Sequence, residues 1–329
     1  MNTRLKQLLS QDFVGLLFAL VALVAFFSVQ SDYFLSALTF TTLANQMPAL
    51  LVIAVGMTFV LIVAGIDLSV GSVMALCGAV LGLAIVEFHL SVWLAAGLCL
   101  LTGLVCGLLN GAVVTRWGVP SFIVTLGMLE IARGGAYLVT DSQTLYIGSA
   151  VEVISAPLPY VNLSPAWFAA VIVVVVGQLL LSRTVLGRYA IAVGTNEEAV
   201  HLSGINVARI KLIVFGMAGL LAGLGGLFHV GYLQSADPNA GIGLELSAIA
   251  AVVIGGTSLA GGKGSVVNTF LGVLIITVLQ TGLAQIGASE PSKRVITGLV
   301  IIAAVIIDVY RNRSGGVGQY LRGLVGRKS

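Results

Sequence analysis

The run VWLAAGLCLLTGLVCGLLNGAVVT, Val92 to Thr115, holds no charged side chain. It is long enough to cross a bilayer core roughly 30 Å thick, for which a helix needs about 20 mainly apolar residues. Working toward the N-terminus, comparable runs lie at Val70 to Val86, Leu43 to Val63 and Phe13 to Val29. Toward the C-terminus they lie at Ser121 to Val139, Ala166 to Leu181, Ile210 to Tyr232, Leu246 to Leu259, Val266 to Ile286 and Val295 to Tyr310. The composition agrees, with 58% hydrophobic and 9% charged residues and a mean hydropathy of +1.08. Soluble globular chains carry about a quarter charged residues. The expected fold class is therefore all-α, a polytopic membrane protein with about ten transmembrane helices.

Charge placement tests the span count, because cytoplasmic loops collect Lys and Arg. With the N-terminus (Arg4, Lys6) inside, ten spans return the C-terminus (Arg311, Arg313, Arg322, Arg327, Lys328) to the same side. The loops carrying Arg116, Arg183, Arg188, Arg209, Lys211 and Lys263 then fall inside too, which makes thirteen of the sixteen basic residues. Lys293 and Arg294 fall outside, and Arg133 lies within a span. Asp32, Glu87, Asp141, Glu152, Asp237, Glu245 and Glu290 fall in or near outer segments. An odd number of spans breaks this sorting, so both termini are expected in the cytoplasm.

The expected organisation is a cytoplasmic N-terminal segment at 1–12, a transmembrane domain at 13–310 with a polar cytoplasmic loop at 183–209, and a cytoplasmic tail at 311–329, whose Gly- and Arg-rich end from Ser314 to Ser329 is expected to be mobile. The first run follows Arg4 and Lys6 as a signal peptide would. It is long for a signal h-region and no small-residue cleavage site follows Val29, so it is read as a retained span. Cys77, Cys99 and Cys106 lie in apolar runs and read as small core residues. Pro48 and Pro120 suit span starts, whereas Pro157, Pro159 and Pro165 oppose regular helix in the outer excursion from Thr140 to Pro165, a lid or docking surface. Gly103, Gly107 and Gly111, Gly78 and Gly82, and Gly219 and Gly223 are four apart, a spacing that lets helix backbones approach in lipid. Packing within the chain is favoured over a subunit interface.

Chemistry-bearing motifs are few. GGTSLAGGKGS, Gly255 to Ser265, fails the phosphate-loop pattern twice, with Thr257 where glycine is required and Gly264 after Lys263. It is read as a tight turn between two spans. His89, His201 and His229 are far apart and set no metal-ligand spacing. No nucleophile elbow or dinucleotide fingerprint occurs, so neither cofactor nor metal, nor a nucleic-acid partner, is expected, and any nucleotide energy has to come from a partner.

Three polar features remain. AGIDLSVGS, Ala64 to Ser72, interrupts two apolar runs; Gly65 and Gly71 permit backbone breaks, Ser69 can cap the following helix, and Asp67 is costly near hydrocarbon unless paired or wet. Asp67 either braces a helix junction, the favoured reading, or lines a substrate or proton path. Glu130 and Arg133, three apart, can pair on one helix face. Finally, GRYAIAVGTNEEAVHLSGINVARIK, Gly187 to Lys211, is polar against its surroundings. Thr195 or Asn196 can cap a helix there, with Glu197 and Glu198 at its positive end and Gly204 closing it in a left-handed conformation. A helix of about eight residues is marginal alone in water, so it must pack on something.

Four blocks together carry a resemblance: VGMTFVLIVAGIDLSVGS (Val55 to Ser72), VPSFIVTLGML (Val119 to Leu129), LGRYAIAVGTNEEAVHLSGINVARIK (Leu186 to Lys211) and LSAIAAVVIGGTSLAGGKGS (Leu246 to Ser265). In combination they closely resemble the ribose-type permeases of bacterial ABC sugar importers, over about Phe13 to Tyr310. The resemblance implies an inner-membrane permease working with a second copy or a similar permease, a periplasmic sugar-binding protein and a cytoplasmic ATP-binding subunit. It implies that Gly194, Asn196, Glu197, Ala199, Ser203 and Gly204 belong to a coupling helix seated in a groove of that subunit. The expected cargo is a monosaccharide, a pentose or a related sugar. Ion-coupled transport through Asp67 or Glu130 is the alternative, and a passive channel is a third reading.

Overall fold

The computed structural model describes residues 11–303, 305 and 306. Most of the N-terminal segment and the tail at 311–329 lie outside the described residues. Among the described residues, thirteen helices of six residues or more form the bundle and its polar arm: α1 (Gln11–Gln30), α2 (Ala37–Gln46), α3 (Pro48–Ile62), α4 (Val70–Val86), α5 (Val92–Trp117), α6 (Ser121–Val139), α7 (Pro165–Arg183), α8 (Val185–Thr195), α9 (Glu197–Leu202), α10 (Val207–Leu233), α11 (Leu244–Ile254), α12 (Val266–Gln285) and α13, residues 290–303. A two-residue antiparallel ladder pairs Leu145–Tyr146 with Ser235–Ala236. Among the described residues, each apolar run of the sequence contains helix. Among the described residues, six helices are long and apolar enough to span a membrane; α2 and α3, bent by 48°, form a seventh as a pair, and α4 and α11 are shorter apolar helices. The chain is an all-α polytopic membrane protein.

Burial follows the distribution of apolar side chains around each helix. PALLVIAVGMTFVLI is apolar on all faces and every residue of α3 is buried, as expected of a helix with no polar face to turn outward. α10 packs most extensively on α5, then on α3 and α4. The α5–α10 contact is made possible by glycine: a Cβ on Gly107 would overlap the Phe215 carbonyl oxygen and lie 2.9 Å from the Gly219 Cα, and one on Gly103 would lie 2.9 Å from the Gly223 N. The four-residue glycine spacing thus serves contact within the chain. By contrast α1 leaves most of its surface apolar and uncovered, including Phe18 at 75% exposure, which suits a helix bathed in lipid.

The two short apolar helices begin at irregular segments. The segment after α10 runs beside α4: Ala236 meets Gly82 and Gly241 meets Gly71, a separation of about 16 Å at 1.5 Å per helical residue. α11 therefore starts well inside the bundle, with Gly243 in a left-handed conformation at its N-cap. It stops at Ile254 rather than near Leu259, because Gly255 and Gly256, the latter at φ 84°, end it. Pro165 corrects another expectation, since it occupies the first turn of α7 behind the Ser164 cap. The proline lacks only a donor that the first turn leaves unused.

Candidate functional site

Two of the four sequence blocks meet at the break between α3 and α4. The α3 helix ends at Ile62, Ala64 takes a left-handed φ of 57°, and the chain runs irregularly to Val70. Irregular backbone inside a bundle needs partners for its polar groups. The first turns of α6 supply them: Ile66 N–H donates to Ser121 Oγ (2.9 Å), Leu68 N–H donates to Thr125 Oγ1 (3.1 Å), and Thr125 donates back to the Ile66 carbonyl (3.2 Å). Asp67, 2% exposed, turns its Oδ1 to the Ser69 N–H (2.8 Å) and Ser69 hydroxyl (2.6 Å). Asn110 of α5 donates to Ser69 Oγ at 3.0 Å. Gly65 is buried here and donates to the Val60 carbonyl.

This arrangement corrects one expectation. Ser69 does not cap α4 with its side chain. Its backbone is already helical (φ −87°, ψ −13°) and its hydroxyl is committed to Asp67 and Asn110. Glu130 and Arg133 correct a second one. They form no ion pair within 4 Å; Arg133 instead reaches across more than a hundred residues to the carbonyls of Pro238 and Ala240, the latter at 2.8 Å. Glu130 is exposed. A guanidinium satisfied by two carbonyls of an irregular segment leaves the exposed Glu130 carboxylate without that partner. Arg133 thus pins the segment that leads into α11.

The polar arm contains two helices where the sequence suggested one. Thr184 caps α8, accepting from Gly187 N–H. Near the end of α8, Gly194 packs on backbone: a Cβ there would overlap the Ile62 carbonyl oxygen and lie 2.5 Å from Gly262 N. Gly262 N–H itself donates to that Ile62 carbonyl at 2.9 Å. The turn at 255–265, the end of α3 and the end of α8 therefore form one junction. Gly194 belongs to this junction rather than to the exposed helix.

The exposed helix is α9, six residues long. Asn196 caps it, its Oδ1 accepting from Ala199 N–H at 2.9 Å. Ser203 donates to the Ala199 carbonyl at 2.8 Å, and Gly204 (φ 79°) closes the turn. Asn196 and Ser203 flank the helix instead of extending it. Glu197 is held by Lys211 of α10 at 2.7 Å, and Val200 is buried beneath. The free face consists of Glu198, Ala199, Leu202 and Ser203, with Leu202 79% exposed. Behind α9 lies a cavity of about 590 Å³, bounded by Glu197, His201, Lys211, residues 63–66, and the α5–α6 connection.

The sequence reading placed Glu198 in the first turn of the helix but missed several other residues. Leu202 joins Glu198 on the outer face of α9, while Asn110, Ser121 and Thr125 satisfy the Asp67 segment. Asn110 carried a signal, a lone amide within an apolar run. Leu202 carried none.

Comparison with known proteins identifies the family. The family described as "Branched-chain amino acid transport system / permease component" matches residues 38–305. The ribose import permease protein RbsC of Escherichia coli (strain K12) is 40% identical over 299 residues, covering 89% of this chain and 92% of the relative. The fructose import permease protein FrcC of Rhizobium meliloti is 34% identical over 303 residues, covering 90% and 84%. The autoinducer 2 import system permease protein LsrC of Photorhabdus luminescens is 32% identical over 306 residues, covering 92% of each. No solved structure matches this chain. The family description names amino acids and the relatives' names do not, so membership fixes a permease and leaves the cargo open. The chain belongs to this family of transport-system permease components, among the ribose-type importer permeases that its four sequence blocks resemble.

Proposed function

We propose that this chain is the membrane subunit of an ATP-binding-cassette importer that passes a monosaccharide, a pentose or a related sugar, across the bacterial inner membrane. The observation that carries the reading is α9, a helix capped within its own chain and strutted by Lys211 that still leaves Leu202 and Glu198 uncovered. Two of the three relatives above are named for a monosaccharide. In this reading the chain hydrolyses nothing: the turn at 255–265 packs against Ile62 and Gly194, and work arrives from a cytoplasmic ATP-binding subunit seated on α9. A periplasmic sugar-binding protein delivers the cargo, a second permease copy or a similar permease completes the path, and lipid covers the outer helices. Ten crossings with both termini in the cytoplasm sort the basic residues best. The connections at 63–69, 117–120, 184–206 and 255–265 then share the inner side, which suits the contacts among Ile62, Gly194 and Gly262.

Alternating access requires the ATP-binding subunit to bind the inward- and outward-open permease with different free energies, since equal affinity shifts nothing. Import relatives favour this reading over ion coupling. Asp67, held by Ser69, then acts as a brace. The test is uptake in proteoliposomes. Sugar accumulation that needs both the binding protein and internal ATP is expected; accumulation driven by a pH gradient without partners would overturn the reading.

A further inference from the structure

Among the described residues, Glu130 is the one acidic side chain within the six long apolar spans. It sits at the centre of α6, nine residues from either end. At 1.5 Å per residue, about 13–14 Å of helix lies on each side, too far for so short a side chain to reach the headgroups. Glu130 is exposed and makes no hydrogen bond or ion pair among the described residues. An ionised carboxylate at that depth is costly enough that such residues almost always face a bundle interior or a water-filled cavity. A protonated one still leaves polar atoms unpaired in hydrocarbon. The outward faces of other spans avoid this: α1 presents Phe18, Val21 and Val29, and α7 presents Ile172, Val175 and Leu179. α6 is also the least apolar of the six. Its Glu130 face is therefore not a lipid face.

A second observation comes from the segment beside it. Glu130, Arg133 and Tyr137 are spaced three and four apart, one stripe along α6. Arg133 donates to the carbonyls of Pro238 and Ala240, and the Tyr137 hydroxyl donates to Asn239 Oδ1 at 2.6 Å. The segment they hold is irregular and runs beside α4 into the bundle, yet Asn239 and Ile242 on it are exposed. Irregular backbone at membrane depth is tolerated only where protein buries it or water reaches it. Stripe and segment together make one polar track from the Val139 end of α6 to its middle, which in the proposed orientation leads inward from the outer side. Gly127 and Gly134, about one turn to either side of Glu130, have nothing within 4 Å of an added Cβ, so the space there is open.

We propose that this face of α6 is a wall of the solute path, with Glu130 the mid-membrane acceptor for hydroxyl groups of the passing sugar. The identity of the solute rests on the import reading; the wetted wall rests on Glu130 and the segment at 237–243. The chemistry suits a polyol: a carboxylate accepts from several hydroxyls, and its charge strengthens each bond. The Tyr137 hydroxyl and the Asn239 amide add neutral polar groups farther out. A few such contacts hold a sugar weakly enough to let it leave, as conduction requires.

Labelling by a charged thiosulfonate, with the full chain in liposomes beside its ATP-binding subunit, tests the wall without any cargo. The native Cys77, Cys99 and Cys106 are buried, and the unsubstituted chain gives the background. Glu130→Cys is expected to react at least about tenfold faster than Val21→Cys, an exposed position in the middle of α1 where hydrocarbon suppresses the thiolate. Equal rates overturn the wall, because lipid or protein then covers Glu130. The acceptor role is read from ATP-driven uptake at saturating sugar and binding protein. Glu130→Gln keeps an acceptor oxygen and should retain most of the uptake, whereas Glu130→Leu should lose about tenfold with an unchanged detergent Tm. Wild-type uptake by Glu130→Leu overturns the acceptor, and equal loss in both variants overturns it in favour of a proton relay. Failure of the unsubstituted chain to accumulate sugar on ATP overturns the import reading instead, and fast labelling of Glu130→Cys still supports the wall.

Discussion

Replacing Gly194 by alanine should disconnect the exposed arm from the bundle while leaving α9 itself intact. The new Cβ would overlap the Ile62 carbonyl oxygen and stand 2.5 Å from Gly262 N. Ordinary contact between such atoms begins near 3.5 Å, so the end of α8 has to withdraw by more than about 1 Å. The Gly262 N–H···O=C Ile62 bond, 2.9 Å long, lies in the same gap. Where α8 does not withdraw, the Cβ wedges Gly262 away from Ile62, and a bond stretched by about 1 Å no longer counts as a hydrogen bond. Loss of a partner for a buried backbone group costs about 1–3 kcal/mol, and overpacking costs about 1–3 kcal/mol, so whichever way the junction yields the loss is at least about 1–3 kcal/mol and at most roughly 6 kcal/mol. The bonds that make α9 a helix, from Asn196, Ser203 and Lys211, are untouched. Gly194→Ala should therefore lower the detergent Tm by several degrees and abolish ATP-driven uptake, while the ATP-binding subunit still co-purifies. Gly204→Ala is the control: no atom lies within 4 Å of its added Cβ, so only the left-handed φ of 79° is penalised, at about 1 kcal/mol. Wild-type Tm and uptake in Gly194→Ala would refute the reasoning, as would equal damage from both substitutions.

Other substitutions divide along the same lines. Gly107→Ala and Gly97→Ala change one helix in the same way, yet only Gly107 faces α10; the first should cost about 1–3 kcal/mol in detergent stability, while the second, with nothing within 4 Å, should be neutral or stabilising by up to about 1 kcal/mol. Thr125→Val removes the acceptor of Leu68 N–H and the donor to Ile66 O; thermal unfolding should show a loss of about 1–3 kcal/mol, whereas Thr102→Val, on an exposed part of α5, should show almost none. Leu202→Ala should reduce co-purification of the ATP-binding subunit about tenfold without changing Tm. Glu197→Gln, which breaks only a partly exposed ion pair, should cost about 0–1 kcal/mol by the same thermal assay.

Helix positions were legible because lipid makes the rule simple: a helix that satisfies its own backbone needs only enough apolar length. Val70 to Val86 and Ser121 to Val139 were read to the residue. The two half-length helices were less legible. An apolar run does not reveal that the chain enters α11 from within the bundle, since that depends on Arg133 pinning Pro238 and Ala240 more than a hundred residues away. The Ser69 cap failed for a local reason, because Asp67 two residues earlier competes for the same hydroxyl. The α9 caps succeeded because capping is decided within a few residues. Its outer face was not legible, since an exposed Leu202 looks in sequence like any apolar residue and only the helix phase, fixed by Val200 beneath and Lys211 beside it, turns it outward.

Together these contacts define how a push on α9 would travel. At one end α8 bears through Gly194 on the Ile62 carbonyl, the last residue of α3. From there seven irregular residues lead to α4, and their polar groups are held by Ser121 and Thr125 of α6, by Ser69 on Asp67, and by Asn110 of α5. A close-packed interior deforms poorly, whereas an irregular segment can exchange one set of hydrogen bonds for another. Under the proposed coupling, the segment at 63–69 is where the two permease states differ, because it alone joins the arm to α4 without continuous helix. Asp67 then serves to keep that segment ordered in one state, since its carboxylate fixes Ser69 by both backbone and side chain. Asp67→Asn preserves the acceptor to Ser69 and should retain folding and uptake. Asp67→Leu removes it and should lose uptake even where the permease still inserts. A proton pathway demands the opposite ranking, with Asp67→Asn as inactive as Asp67→Leu, so uptake by the two variants decides between brace and relay.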